Sequence, residues 1–303
     1  RNDKELAVLM KKPIEVVLGK YGVGLVNIAL AESGFEKGTM DTYEVMTRLN
    51  TGYVMADAGG RIEMCFAVAG LLARLHVSQG QPKAAQEGMD SFRKKVVLEG
   101  AGQLLTHVDT LNMWLQLLQG KPDIARDWLT QAPDENVAFC ILDRYKYIHK
   151  VRCLIALRKY EEAAGLIERL NLYFTKYERN YLWMENQTLK AILQYRIGNA
   201  EWEKTLNGTL CKMEHYHFIR IAAQEGVALK PLLDKLTNYT ISKDFYNLLC
   251  REVDRTARYY PNYLGEEKEL KEPLTEMEES VLKLLCDNQS SEQICSLCNI
   301  AYS

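Results

Sequence analysis

Proline is scarce in this chain, seven in 303 residues, so few points along it forbid a helix. Alternating apolar and polar stretches are nearly absent too, which excludes a sheet as the main architecture. Apolar residues recur instead at spacings of three and four over long windows, and that periodicity predicts helix throughout. No apolar run is long enough to cross a bilayer. The longest near the start, 25–31, is interrupted by Asn27. Neither a membrane span nor a signal peptide is expected, and the expected location is the cytoplasm. No sign of charge dominates: 38 Lys and Arg against 40 Asp and Glu leave a formal net charge of −2. A surface made for polyanions is thereby excluded, and any DNA contact has to be local.

Parts for catalysis and metal binding are short as well. The eight cysteines are Cys65, Cys140, Cys153, Cys211, Cys250, Cys286, Cys295 and Cys298. Most lie in apolar helical stretches, as reduced thiols of a cytosolic protein do. Only Cys295-x-x-Cys298 has a metal-like spacing. Its nearest companion is Cys286 and the last histidine is His217, so a fourth local zinc ligand is missing and core thiols are expected. His76, His107, His149, His215 and His217 have no nucleophile at a meaningful spacing, and His215 and His217 point to different helix faces. The acidic pairs Glu161-Glu162 and Glu278-Glu279 suit solvated helix starts. No G-x-x-x-x-G-K-[ST] occurs, so no nucleotide-binding loop is expected, and Gly19, Gly22 and Gly24 read as a helix break. No enzyme activity, metal or cofactor is expected within these residues.

What is there is a repeat. The stretches 75–85 (LHVSQGQPKAA), 115–125 (LQLLQGKPDIA), 153–163 (CLIALRKYEEA) and 193–203 (LQYRIGNAEWE) align. In each, a helix is followed by a tight turn and a second helix. Gly80, Gly120, Arg158 and Gly198 hold the same place, at spacings of 40, 38 and 40. Glycine there takes positive φ and ends the first helix, and Pro82 and Pro122 fall in the first turn of the next. Ala85, Ala125 and Ala163 let the paired helices approach closely; Glu203 breaks that pattern. A weaker copy lies upstream, with its turn near Lys37-Gly38 and its second helix from about Asp41. Five such pairs would stack into an all-α superhelix with one continuous core. The units resemble tetratricopeptide repeats, although the period exceeds their usual 34.

The repeat domain is expected over 1–240. A helix from Ser242 to Tyr260, closed by Pro261, and a polar stretch make 241–272 a helix and linker. Within 273–303, Thr275 and Glu278 form a capping box. Val281, Leu282 and Leu285 follow on one face, Asn288 ends the helix, and Ser290 or Ser291 caps a second short helix.

That last segment resembles the opening of a LuxR-type helix-turn-helix. Leu274, Thr275, Glu278, Val281, Leu282, Leu284, Leu285, Ser290, Ile294 and Ile300 match its pattern. Met277, Asn288, Gln293, Cys295, Cys298 and Ala301 stand where Arg or Lys, Gly, Glu, Ala, Leu and Ser are usual. Upstream, Arg220, Glu225, Gly226, Leu229, Leu232 and Leu233 match a stretch that follows the repeats in the large MalT-like regulators of that family, while Ile219 and Ala222 depart from it. The resemblance implies a signal-sensing region of a bacterial transcription regulator. It would bind a small inducer, such as a sugar, and control self-association and DNA binding. ATP would be held only by a further N-terminal module. Because the chain begins at Arg1, an internal piece of a longer protein is expected. The recognition helix would follow residue 303, so DNA would be contacted only through the complete C-terminal domain.

In tetratricopeptide-like arrays the first helix of each pair lines the groove. Counting back from the turns places Glu32, Arg74, His107, Trp114, Tyr145, Arg152, Glu185 and Tyr195 there. Aromatic faces beside a few hydrogen-bonding charges suit a sugar or another small polar metabolite. Two alternatives stay open: these residues are packing aromatics and solvated charges, or the groove is a scaffold that takes a peptide of a protein partner.

Overall fold

The computed structural model describes residues 3–19, 22, 24–59, 62–134, 139–140, 143–264, 275–286 and 289–298. Among them there is no strand. The chain divides into two compact units, Arg1–Gly265 and Glu266–Ser303. Of the residues compared with the helix-turn-helix pattern, Leu274 and Ile300, which match it, and Asn288 and Ala301, which depart from it, lie outside the described residues.

In the first unit α1 (Asp3–Leu18) precedes five helix pairs. They are α2 (Leu25–Lys37) with α3 (Thr42–Ala58), α4 (Ile62–Ser78) with α5 (Pro82–Leu98), and α6 (Leu105–Leu118) with α7 (Asp123–Leu129). The last two are α8 (Arg144–Ala156) with α9 (Tyr160–Lys176), and α10 (Asn180–Arg196) with α11 (Trp202–Tyr216). Consecutive helices pack on one another, giving the expected α-α superhelix.

The turns inside the pairs share one device. Gly38, Gly80, Gly120, Arg158 and Gly198 have φ of 63°, 69°, 76°, 57° and 71°. At each, the amide donates back three residues, as Gly80 N does to Val77 O at 3.0 Å. The next amide donates back five, as Gln81 N does to His76 O at 2.9 Å. These are Schellman caps, which satisfy carbonyls that the helix end would otherwise orphan. Arg158 takes the left-handed conformation in spite of its Cβ. Pro82 opens α5 and Pro122 stands just before α7. Ala85, Ala125 and Ala163 are fully buried, so the paired helices close on them.

The chain then turns back. Short α12 (Arg220–Ala223), α13 (Gly226–Lys235) and α14 (Lys243–Tyr259) follow the repeats. Ser242 caps α14 by accepting from Phe245 N at 3.3 Å. The apolar stripe of α14, Phe245, Leu249 and Val253, is buried, and so are Tyr260, Tyr263 and Leu264 beyond it. Ile219 N donates to Glu36 O at 2.9 Å, and the Tyr260 hydroxyl donates to Val77 O at 3.0 Å. This return segment, 219–264, therefore lies on the face formed by the first helices of the pairs. The sequence reading set 241–272 apart from the repeats. The structure keeps α14 and the residues through Leu264 in the repeat unit, because their apolar side chains are buried there.

The second unit contains α15 (Glu276–Cys286) and α16 (Ser291–Cys298). Both begin with reciprocal capping boxes. Thr275 N donates to Glu278 Oε2 at 2.8 Å and Glu278 N to Thr275 Oγ1 at 3.3 Å. Ser290 and Gln293 repeat the exchange at 2.9 and 3.3 Å.

Two of the turn glycines have a second reason to lack a side chain. A Cβ on Gly80 would come within 2.8 Å of the Tyr259 ring, and one on Gly120 within 2.6 Å of Asn262 Cβ. A Cβ on Gly198 would meet nothing within 4 Å. Gly198→Ala is expected to cost about 1 kcal/mol, the left-handed strain alone. Gly120→Ala is expected to cost about 1–3 kcal/mol more from overpacking. Asn262→Gly in the Gly120→Ala background should recover that excess. Equal urea midpoints for the two alanine variants would mean that residue 262 does not rest on the α6–α7 turn.

Candidate functional site

All eight residues expected to line the groove lie on first helices: Glu32 on α2, Arg74 on α4, His107 and Trp114 on α6, Tyr145 and Arg152 on α8, Glu185 and Tyr195 on α10. The structure gathers Arg74, Trp114, Arg152 and Glu185 beneath the return segment. Arg152 is 1% exposed. Its Nη2 donates to Glu185 Oε1 and to Glu225 Oε1, each at 2.6 Å, and its Nε donates to Glu225 Oε1 at 3.2 Å. Glu225 is wholly buried in the return segment, and the Tyr263 hydroxyl donates to its other oxygen at 2.9 Å. Burial alone would lower the pKa of Arg152, but Glu225 and Glu185 outweigh it and hold the guanidinium charged. Burial, then Glu225, keeps the Tyr263 phenol neutral.

Two more groups of paired charges flank this one. Glu36, 2% exposed, pairs with Arg74 at 2.5 Å and accepts from the Tyr181 hydroxyl at 2.9 Å. Glu252 of α14 pairs with both Arg220 and Arg255. The guanidiniums of Arg74 and Arg220 both lie over the Phe35 ring, 5.5 and 5.4 Å from its centre. Glu32 sits at the edge of this group and is exposed, yet desolvation by the surrounding protein and then Glu36 raise its pKa, against the pull of Arg74.

His107 and Tyr145 form a second group. His107 Nδ1 and the Tyr145 hydroxyl are 2.7 Å apart and their rings stack at 5.5 Å. Ring contacts continue from Tyr145 to His149 at 6.2 Å and from His149 to Trp114 at 5.8 Å, which joins this pair to the ionic cluster. Burial and the nearby Lys146 lower the pKa of His107. His149 is lowered much further, by burial and then by Arg152 and Arg74, and is neutral in the fold. Tyr195 stands apart, edge-on to Trp202 at 5.5 Å and with Lys235 Nζ 4.8 Å from its ring centre.

Glu36, Tyr181, Glu225, Glu252 and Tyr263 belong to the site and were not foreseen as groove residues. Helical phase offered a signal for two of them, since Glu36 lies one turn from Glu32 and Tyr181 one turn from Glu185. The other three come from the return segment, and nothing local to the repeats announces them.

The cluster is a set of paired charges. Its arginines are matched by glutamates, and the buried Cys153 thiol, pushed up to about 12 by burial, stays protonated. Among the described residues no group of His, Cys, Asp and Glu is arranged to hold a metal ion. A separate trough of about 700 Å³ opens over α6. Residues of α5, α6 and α7 all contribute to it. Gln86, Asp90, Arg93, Asn112, Gln116 and Trp128 line it. Scans of the chain against protein-family models and against curated proteins find no match.

Removing Arg152 leaves Glu225 buried with no cation against it and only the Tyr263 hydroxyl as a partner. Arg152→Ala is expected to cost about 3–5 kcal/mol in urea denaturation, and Glu225→Gln in the same chain to recover most of it. No recovery would mean that Arg152 acts by packing and not by charge. For His149 the sign follows from its lowered pKa. The unfolded chain takes up this proton below about pH 6.5 and the folded chain does not, so stability is full above that pH and falls with acidification. Between about pH 7.5 and about pH 5.5, His149→Leu should lose up to about 1.4 kcal/mol per pH unit of that slope. Identical slopes for both proteins would show that His149 titrates normally in the fold.

Proposed function

We propose that this chain is the signal-sensing region of a bacterial LuxR-type transcription regulator of the MalT-like class, non-catalytic and acting in the cytoplasm. A small inducer binds on the first-helix face, beside the ionic cluster, and thereby controls self-association and the DNA binding of a complete C-terminal domain. In this reading ATP is held by a separate module of the whole protein.

One observation carries the reading. The residues that resemble the MalT-like stretch are those by which the return segment grips the repeats. Glu225 meets Arg152, Arg220 lies over Phe35, and Leu229, Leu232 and Leu233 are buried. Gly226, with φ of 39°, lets the chain pass so close to α14 that a Cβ would sit 3.1 Å from Ala257 N. The capping boxes at Thr275 and Ser290 are further support, because they begin the two short helices that the LuxR-type pattern calls for. No described helix is long and apolar enough to cross a membrane.

The second reading is a scaffold for a partner peptide. The open trough over α6 favours it, because its amides and carboxylates suit the backbone and basic side chains of an extended peptide.

A thermal-shift screen of the 303-residue chain against saccharides and common metabolites separates the two. A ligand at a hundredfold excess over its Kd stabilises by about 2.7 kcal/mol. The expected result is one ligand class that raises Tm, loses its effect in Arg74→Gln, and changes the sedimentation velocity of the chain. A panel with no shift, together with a peptide that binds and is lost in Asn112→Lys, would sink the sensor reading in favour of the scaffold.

A further inference from the structure

One small cavity lies where the repeats meet the return segment. Phe35, Arg74 and Trp114 contribute its walls from α2, α4 and α6; Arg220, Gln224 and Thr256 contribute them from the return segment. Its volume is about 20 Å³, which admits one small polar group and no sugar ring. The side chains of Arg74 and Arg220 keep 19% and 15% exposure, so each retains an edge toward solvent.

The walls are mainly apolar, but two of the lining residues carry a buried donor. Trp114 is 2% exposed, and its Nε1–H has no hydrogen-bond partner among the described residues. Arg220 Nε–H is likewise buried without a partner there. Both groups are donors and cannot accept, so whatever satisfies them must bring an acceptor. The carboxylates that pair with the two arginines, Glu36 and Glu252, are not among the lining residues. The lining therefore includes two arginines and no acidic residue. Buried donors left unmade cost free energy, and a charged acceptor between guanidiniums makes stronger, shorter hydrogen bonds than a neutral one.

We infer that this cavity is a binding site for a small oxyanion of carboxylate size, either a free anion or the carboxylate end of a metabolite whose remainder extends past the arginine edges. The anion would accept from Trp114 Nε1 and Arg220 Nε and touch both halves of the unit at once, fastening the return segment to the repeats. The inference rests on the sensor reading only in treating this anion as the signal; the site itself stands on the cavity and its donors. Burial lowers the pKa of Arg220 in spite of the adjacent Glu252, and a second anion would offset that penalty.

The test uses the indole N–H resonances of Trp114, Trp128, Trp183 and Trp202 in the ¹⁵N-labelled 303-residue chain. Sodium formate, acetate and inorganic phosphate are titrated in separately, against sodium chloride at matched ionic strength. One indole resonance should move downfield and saturate with formate or acetate, and it should be the one missing from Trp114→Phe. Arg220→Gln, which leaves Trp114 in place, should weaken the saturation at least tenfold and identifies the site even where Trp114→Phe folds poorly. Saturation by phosphate and not by formate or acetate would overturn the assignment to an anion of carboxylate size. No resonance moving beyond the chloride control, chloride itself saturating as well as formate, or movement confined to another tryptophan would each overturn the inference. Should formate or acetate saturate the site while sedimentation stays unchanged, the anion site stands and its role as the signal falls. A metabolite that stabilises the chain without moving the Trp114 resonance leaves the sensor reading standing and removes the anion as its signal.

Discussion

Arg152 and Glu225 are 73 positions apart in sequence, and both are withdrawn from water in the fold. Each charge would be costly alone, because a buried ion regains its lost hydration only from a partner of good geometry. Here the partners are multiple. Glu185 shares the guanidinium, Tyr263 donates to the second oxygen of Glu225, and Gln224 Nε2 donates to Glu185 at 3.0 Å. The arrangement contributes position more than stability. An apolar segment could settle on the first-helix face in several registers, whereas a buried carboxylate that must reach one guanidinium accepts only one. The placement of α12, α13 and α14 follows from that restriction, as does the closeness of Tyr259 and Asn262 to the glycine turns at 80 and 120.

The repeats themselves rest on a simpler constraint that the sequence displays openly. A Schellman cap needs a residue that tolerates positive φ, and glycine is the cheapest choice. Turn residues 38 to 42 positions apart, all but one of them glycine, with proline and alanine after two of them, therefore announced where helices stop, start and touch. Arg158 shows the logic from the other side. Its place in the alignment, and not its residue type, marked the turn, and it adopts φ of 57° because the surrounding pair already dictates the geometry. Local signals also revealed the capping box at Thr275 and a serine cap, at 290 or 291, for the helix after it, since each device is complete within four residues.

What stayed hidden was long-range pairing. The sequence showed that Arg74, Trp114, Arg152 and Glu185 share a face, but it could not show that the chain supplies its own cover for that face. Glu36 is 145 positions from Tyr181, and no periodicity connects them. The segment 241–272 looked like a helix and linker for the same reason. Its buried stripe of Phe245, Leu249 and Val253 is legible as amphipathic, yet amphipathicity does not say which surface the stripe will meet. Trp114 is the instructive case. An aromatic on a groove-facing phase reads as a stacking platform, while the structure buries its ring against His149 and leaves only its N–H in search of a partner.

A face already occupied by its own chain limits how a ligand can act on it. A ligand that contacted the repeats alone would first have to expel the return segment. Its apparent affinity would then be reduced by the small fraction of molecules in which that face is open. A ligand that touches both the repeats and the segment adds to the closed arrangement without first undoing it. Any ligand shifts such an equilibrium only by its differential affinity for the two states. Donors contributed from both sides, Trp114 from α6 and Arg220 from α12, exist together only when the segment is seated. An acceptor placed between them therefore binds the closed state selectively, and the free energy of that contact becomes the coupling between the site and whatever the return segment governs.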